Sequence, residues 1–354
     1  MIELLNLRPD ELDAFFRELG EKPFRAKQVW QWLWARECDS FAAMTNLSKA
    51  LRETLAARAV IRHPDIRDTR VSSDGTVKLL LGLADGETVE TVLIPEKDHI
   101  TQCLSTQVGC ALGCAFCSTG QMGLTRNLTQ AEICGQILAA RRYLQGVGEP
   151  LTLRNLVFMG MGEPMLNFRE LMRSLATLTD PKGMNFSPRR ITVSTAGITK
   201  GLRELGESDM ANLAVSLHAP NQALRERLMP VAKTVPLDQL MAALRDYPLK
   251  PRQRLTFEYI LLGGVNDGPE HARELARLLA GLKAKVNLIA YNPPKDGPAP
   301  FAAPTEEAIL AFEKVLWNKD LTVILRKSKG QDIAAACGQL KAERTAAAPD
   351  PDPQ

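Results

Sequence analysis

From about residue 100 onward, short apolar runs alternate with segments whose apolar residues recur every three or four positions. The short runs read as buried parallel strands and the periodic segments as helices laid over them. Strands are predicted at 101–107, 154–159, 190–195, 211–217, 254–262, 285–290 and 321–326. Between them, TQAEICGQILAARRYL (129–144), EHARELARLLAGL (270–282) and TEEAILAFEKVLW (305–317) carry the helical period. Such alternation implies parallel strands joined by right-handed helical crossovers. Six or seven units fall short of an eight-unit closed barrel, so the expected fold is α/β, a partial and open β/α barrel.

The preceding residues follow a different pattern. Helical periods cover about 9–19, 24–36 and 48–58, and a β-rich piece, TVKLLLGLADGETVETVLIP (76–95), follows. Asp74-Gly75 and Asp85-Gly86 flank its apolar runs and predict a hairpin. The expected organisation is an N-terminal accessory domain over 1–95, the barrel over 96–340, and a small, Pro-rich disordered tail over 341–354.

Composition narrows the class. A chain of 354 residues, 45% hydrophobic and 24% charged, matches an ordinary globular protein with a large core. No apolar run reaches membrane-span length and MIELLNLRPDELDAFF has no secretory pattern, so a cytoplasmic protein is expected. Seven cysteines, an odd number with three clustered, argue against a secreted disulfide framework. The net charge of +3 identifies no partner, but its distribution is uneven. Between Lys22 and Arg62, eight Lys/Arg stand against Glu37, Asp39 and Glu53, interleaved with Trp30, Trp32 and Trp34. That region reads either as a surface that tracks phosphates and stacks on bases or as an amphipathic helix with core tryptophans.

The chemistry concentrates in CLSTQVGCALGCAFCSTGQMG (103–123), where Cys110, Cys114 and Cys117 are spaced x3 and x2. Three thiolates this close can hold a [4Fe–4S] cluster with one iron left open, unlike the closed shells of four-cysteine ferredoxins. An open iron suits binding and reduction of a substrate such as S-adenosylmethionine. The alternative is structural zinc, which needs four closed ligands, and Cys103 or His99 could complete that set.

Unusual residues also fall at predicted strand ends, where ligands gather in β/α folds. GMGEP (160–164) offers Gly160 and Gly162 for close backbone approach and Glu163 as an acceptor for an ammonium group. Ser194, Ser216, His218 and Asn292 end later strands. The last strand runs into RKSKGQDIAAACGQL (326–340), which places lone Cys337 at the same rim; lone Cys103 lies on the first strand. Cys134 reads as helix packing, and Cys38 has no chemical context.

Together CLSTQVGCALGCAFCSTG, MGMGEP, VSLHAP, GVND (264–267), YNPP and RKSKGQDIAAACGQL resemble the RlmN/Cfr family of radical S-adenosylmethionine RNA methyltransferases, from about residue 87 to 340. The resemblance implies a (βα)6-type radical SAM barrel, with Cys110, Cys114 and Cys117 holding one [4Fe–4S] cluster. It implies that Gly162, Glu163, Ser194, Ser216, Leu217, His218 and Asn292 bind S-adenosylmethionine, two molecules of which are used per turnover. Cys337 would accept a methyl group, Glu90 would accept a proton, and Cys103 would release the product by forming a disulfide with Cys337. The implied targets are C2 of adenosine 2503 in 23S ribosomal RNA and of adenosine 37 in some tRNAs. An electron donor such as flavodoxin is implied, and a monomer suffices. Methylation at C8 of the same ribosomal adenosine, and a non-catalytic metal-stabilised RNA-binding protein, are the competing readings.

Overall fold

The computed structural model describes residues 1–293 and 299–341; of the tail expected over 341–354, only Lys341 falls among them. A ten-stranded sheet organises these residues. From one edge its order is Thr322–Arg326, Ala284–Ala290, Leu255–Leu261, Asn212–Ser216, Ile191–Thr195, Leu153–Phe158, Ile100–Cys103, Thr88–Pro95, Val77–Gly82 and Asp65–Val71. The strands from Thr322–Arg326 through Ile100–Cys103 are parallel, and the remaining three are antiparallel. The two ends of this order do not pair with each other, so the barrel is open and has seven parallel strands.

Local sequence explains these elements. Every residue of Leu255–Leu261 is buried, as expected for a strand covered on both faces. Helix Phe168–Thr179 buries Leu171, Leu175 and Leu178, one apolar stripe at i, i+4 and i+7, against the sheet. Each such leucine contributes about 2 kcal/mol by leaving water. Helix Gln130–Gly146 starts at a capping box: the Glu132 amide donates to Thr129 Oγ1, and the Thr129 amide donates to the Glu132 carboxylate.

The predicted strand 101–107 ends early, at Cys103. The amides of Thr106 and Gln107 both turn to the carbonyl of Met161, and Gln107–Gly109 then pairs antiparallel with Leu124–Asn127. Burial continues across this bend, so the apolar run outlasts the ladder.

At the N-terminus, helices Pro9–Glu18, Pro23–Trp34 and Lys49–Arg58 form as predicted. The stacking surface does not include all three tryptophans. Trp30 and Trp34 pack edge-to-face 5.9 Å apart in the core, 4% and 0% exposed. Trp32 is half-buried, donates to Asn46 Oδ1 and lies beneath Arg36, while Phe24 is exposed beside Arg25. The hairpin Val77–Pro95 joins the barrel's own sheet, with Val92 opposite Cys103, so the expected border at residue 95 falls between two hydrogen-bonded strands.

Gly109 fixes the entry to the cysteine loop. Its φ is +76°, and a Cβ there would lie 1.9 Å from the Gly123 carbonyl oxygen. Gly123 also has positive φ, +72°, but open space around it. Gly109→Ala is expected to destabilise the chain by about 2 kcal/mol or more, and Gly123→Ala by about 1 kcal/mol. Urea denaturation of the two variants checks this; equal losses would show that the backbone clash is relieved at no cost.

Candidate active site

The cysteine loop is tied down along its length. The Cys110 amide donates to Gly123, Ala115 to Leu228, Cys117 to Cys114 and Ser118 to Gly338, all through backbone carbonyls. Cys110 is buried, Cys114 and Cys117 half-buried. Burial pushes the Cys110 thiol up to about 11 and that of Cys114 up to about 12, with neighbouring thiols and Glu163 adding to both. Such thiols give up their protons to a metal centre rather than to water.

The fourth protein ligand that structural zinc requires is not in place. His99 precedes the first barrel strand, at the opposite end from the loop, and its ring nitrogens meet Asp98 and Asn155 at 2.7 Å each. Cys103, on the first barrel strand, has its thiol within electrostatic reach of Cys337. Among the described residues no group of His, Cys, Asp and Glu closes round a single ion. Three thiols are the donor type that an iron–sulfur cluster takes, and His99, engaged by Asp98 and Asn155, does not complete a zinc set with them.

Glu163 follows the second parallel strand and is buried. Its carboxylate accepts from the amides of Met165 (3.1 Å) and Ala196 (2.7 Å), and its own amide donates to Gln107 Oε1. Burial raises its pKa to about 7 against these hydrogen bonds. Gly162 before it has φ +97°, and a Cβ there would lie 2.6 Å from Gln107. Ser194 and Ser216 face each other with their hydroxyls 3.4 Å apart. His218 adopts φ +55°; its Nδ1 accepts the Ile260 amide, leaving the proton on Nε2, and its ring packs edge-on against Phe116. Burial lowers its pKa to about 3, so it is neutral. Asn266, in GVND, holds this turn by donating to the carbonyls of His218 and Ile260. The Leu217 side chain is core, with its amide on the Glu258 carbonyl. Asn292 donates to Ala290, and its carbonyl accepts from the Gln339 side chain.

Register reveals two further polar residues. Ser216 stands opposite Glu258, and Glu258 opposite Asn287, so the three share one face of adjacent strands. Glu258 accepts from Asn287 through Oε1, while Oε2 is buried with no partner among the described residues. A charged residue inside LTFEYIL and an amide inside AKVNLIA were the available signals.

Cys337 is exposed in a cavity of about 340 Å³ lined also by Ile94, Ile289, Arg326, Lys327 and Lys329. Surrounding protein pushes its thiol up; Arg326 draws it down, while Glu258 and Cys117 push it further up. Burial drives the Cys103 thiol up to about 12, with Cys337 adding and Arg326 opposing. Both thiols are free. Glu90 sits on the adjacent strand in a buried ion pair with Lys78 at 2.9 Å, and its other oxygen accepts the Lys341 amide.

Comparison with known proteins follows these lines. Residues 2–61 match the family described as ribosomal RNA large subunit methyltransferase N-terminal domain, and residues 104–279 match the radical SAM superfamily. The chain is 62% identical to a dual-specificity RNA methyltransferase RlmN of Nitratidesulfovibrio vulgaris, covering 98% of this chain and 96% of that protein. It is 59% identical to the protein of that name from Oleidesulfovibrio alaskensis, over 99% and 98%. A crystal structure of a radical SAM methyltransferase from Sphaerobacter thermophilus superposes with a TM-score of 0.90 at 44% identity, covering 97% of this chain and 100% of that one.

The raised pKa of Glu163 sets a pH dependence of stability. Between pH 4.5 and about 7 the folded chain keeps a proton on Glu163 that the unfolded chain has released. Stability therefore falls as pH rises through this window. Relative to Glu163→Gln, the metal-free protein is expected to lose up to about 3 kcal/mol between pH 5 and 8. Urea denaturation across that range tests it, and parallel pH profiles for the two proteins would refute the assignment.

Proposed function

The chain belongs to the RlmN family of radical S-adenosylmethionine RNA methyltransferases, and we propose that it methylates C2 of adenosine 2503 in 23S ribosomal RNA and C2 of adenosine 37 in some tRNAs. The observation that carries this reading is the bonding of the Cys337 segment to the three-cysteine loop, Ser118 donating to Gly338 and Thr119 to Leu340, with the charge of Cys337 felt at Cys103.

The positions assigned from the sequence are offered with that reading. Cys110, Cys114 and Cys117 hold one [4Fe–4S] cluster, which when bound supplies the electron for reductive cleavage of S-adenosylmethionine. Glu163 receives the cofactor's ammonium group. Gly162 leaves room for backbone approach, and Ser194, Ser216, Leu217, His218 and Asn292 complete the cofactor pocket. Neutral His218 offers an Nε2 donor, since its Nδ1 is already engaged.

Adenine C2 is electron-poor and carries no lone pair, so a methyl carrier on the protein is needed. Cys337 takes a methyl group by displacement at the sulfonium of one S-adenosylmethionine. A second molecule provides for hydrogen removal from that methyl, whose carbon then bonds to the ring. Loss of the ring proton, return of the one unpaired electron to the cluster and attack of the Cys103 thiolate on the Cys337 sulfur release the RNA and leave a disulfide. The freed methylene carbon takes up a proton to become the methyl group. Glu90 is the proposed proton acceptor. Its carboxylate is held by Lys78 and the Lys341 amide, directly beneath the segment carrying Cys337, so proton transfer goes with displacement of that segment.

Segment 1–95 is assigned to RNA contact, with exposed Phe24 and Arg36 and half-buried Arg25 and Trp32 as its basic and aromatic face. The protein is assigned to the cytoplasm as a monomer that takes electrons from a donor such as flavodoxin. No helix among the described residues is long and apolar enough to cross a membrane.

Anaerobic incubation of reconstituted protein with 23S RNA, S-adenosylmethionine and reductant, followed by nucleoside mass spectrometry, is expected to give 2-methyladenosine. 8-Methyladenosine would overturn the C2 assignment. Cys337→Ala is expected to give no methylated product at all. Cys103→Ala is expected to accumulate protein covalently joined to RNA; free protein alone, despite an assembled cluster, would rule out release by Cys103.

A further inference from the structure

Arg225 has no part in the chemistry above. It lies on helix Gln222–Leu228 and is 0% exposed. Its Nη2 donates to the Ala196 carbonyl, while Nε and Nη1 have no hydrogen-bond partner among the described residues. A buried guanidinium with two nitrogens unpaired carries a large desolvation cost unless an anion completes it. Glu163 is not among its hydrogen-bond partners, and its carboxylate oxygens accept from the amides of Met165 and Ala196. His218 is neutral. Cys114 packs in one cluster with Leu224 and Leu228 of the same helix, and it is the group that would act on Arg225 once ionised.

The surroundings hold the side chain at this place. Leu228, one turn along the same helix, accepts the amide of Ala115 in the cysteine loop, so helix and loop are joined beside Cys114. On the other side, a Cβ at Gly197 would lie 2.8 Å from Nη2. Arg227, two residues on, is exposed, so the burial belongs to position 225 and not to the helix as a whole.

We propose that Arg225 donates its free Nε–H and Nη1–H groups to the anionic sulfur face of the cluster on the Cys114 side, and so raises the cluster's reduction potential. The inference rests on the reading that Cys110, Cys114 and Cys117 hold a [4Fe–4S] cluster. Hydrogen bonds and positive charge near cluster sulfurs stabilise the reduced, more negative state. A guanidinium suits this because its fork keeps full charge in a buried site and presents its donors in one plane.

The test compares wild type, Arg225→Met and Arg225→Lys after anaerobic reconstitution. Iron and sulfide are counted per chain, and midpoint potentials are then measured by redox titration followed by EPR without S-adenosylmethionine. Arg225→Met is expected to load its cluster and to shift at least tenfold in the reduction equilibrium, about 59 mV toward negative potential for one electron. Arg225→Lys, which keeps the charge but not the fork, is expected to fall between. The metal-free Arg225→Met protein is expected to melt above metal-free wild type, because an uncompensated buried charge has been removed. Equal potentials in the three proteins would overturn the proposal. So would an unchanged potential with weakened S-adenosylmethionine binding, which would reassign Arg225 to the cofactor's carboxylate. Wild type that takes up no iron would instead overturn the cluster reading beneath it.

Discussion

The buried carboxylate of Glu163 is the point on which the barrel mouth depends. It leaves the second parallel strand, accepts an amide from its own turn at Met165, and accepts another from Ala196 beyond the third strand. Its amide meanwhile donates to Gln107, in the bend after the first strand. One residue thus sets the spacing of three strand ends. A carboxylate this deep is tolerated because backbone amides donate to it, and its raised pKa records what they leave uncompensated. Ala196 is clamped from both sides, its amide by Glu163 and its carbonyl by Arg225. The mouth therefore presents one buried acid and one buried guanidinium held apart by a single residue.

The segment bearing Cys337 is stitched on around this mouth rather than packed into it. Asp332 accepts from Ser72 and Ser73, Gly330 donates to Asp74, and Lys78 donates to Ala334. Gly338 and Leu340 accept from Ser118 and Thr119 in the cysteine loop, and Lys341 donates to Glu90. Each such bond contributes about 1 kcal/mol, so together they place the segment while each remains individually easy to exchange. Cys337 lies between the two sets of anchors and is itself exposed. That suits the methyl-carrying role proposed for Cys337.

Much of this was legible in the chain. Helices announced themselves through period and caps, as in Thr129 with Glu132, and the rim residues through their positions after apolar runs. The bend after Cys103 was not legible, because burial persists through Gln107 after the strand's pairing has ended. The fate of the tryptophans was equally hidden: Trp30 and Trp34 lie four residues apart on one helix face, but only packing decides which face is core. Glu258 and Asn287 stood out as polar residues in apolar strands, yet only register aligns them with Ser216. Arg225 and Arg227 share one short helix, and nothing local tells which of them is buried.

The distribution of positive charge explains how two thiol chemistries share one rim. The surroundings of Cys110, Cys114, Cys103 and Cys337 all oppose ionisation of their thiols. Arg225 faces Cys114, and Arg326 faces both Cys103 and Cys337. A single cation between the groups would couple them, so that changing the charge of one would shift the other. With one guanidinium beside each, attraction to a cation acts within each set, while a charge on Cys117 still reaches Cys337 directly. A metal centre needs its thiolates permanently ionised, whereas a methyl carrier needs a thiolate only transiently. Arg225, fully buried with donors to spare, suits the permanent task; Arg326, half-buried on the cavity wall, suits the transient one.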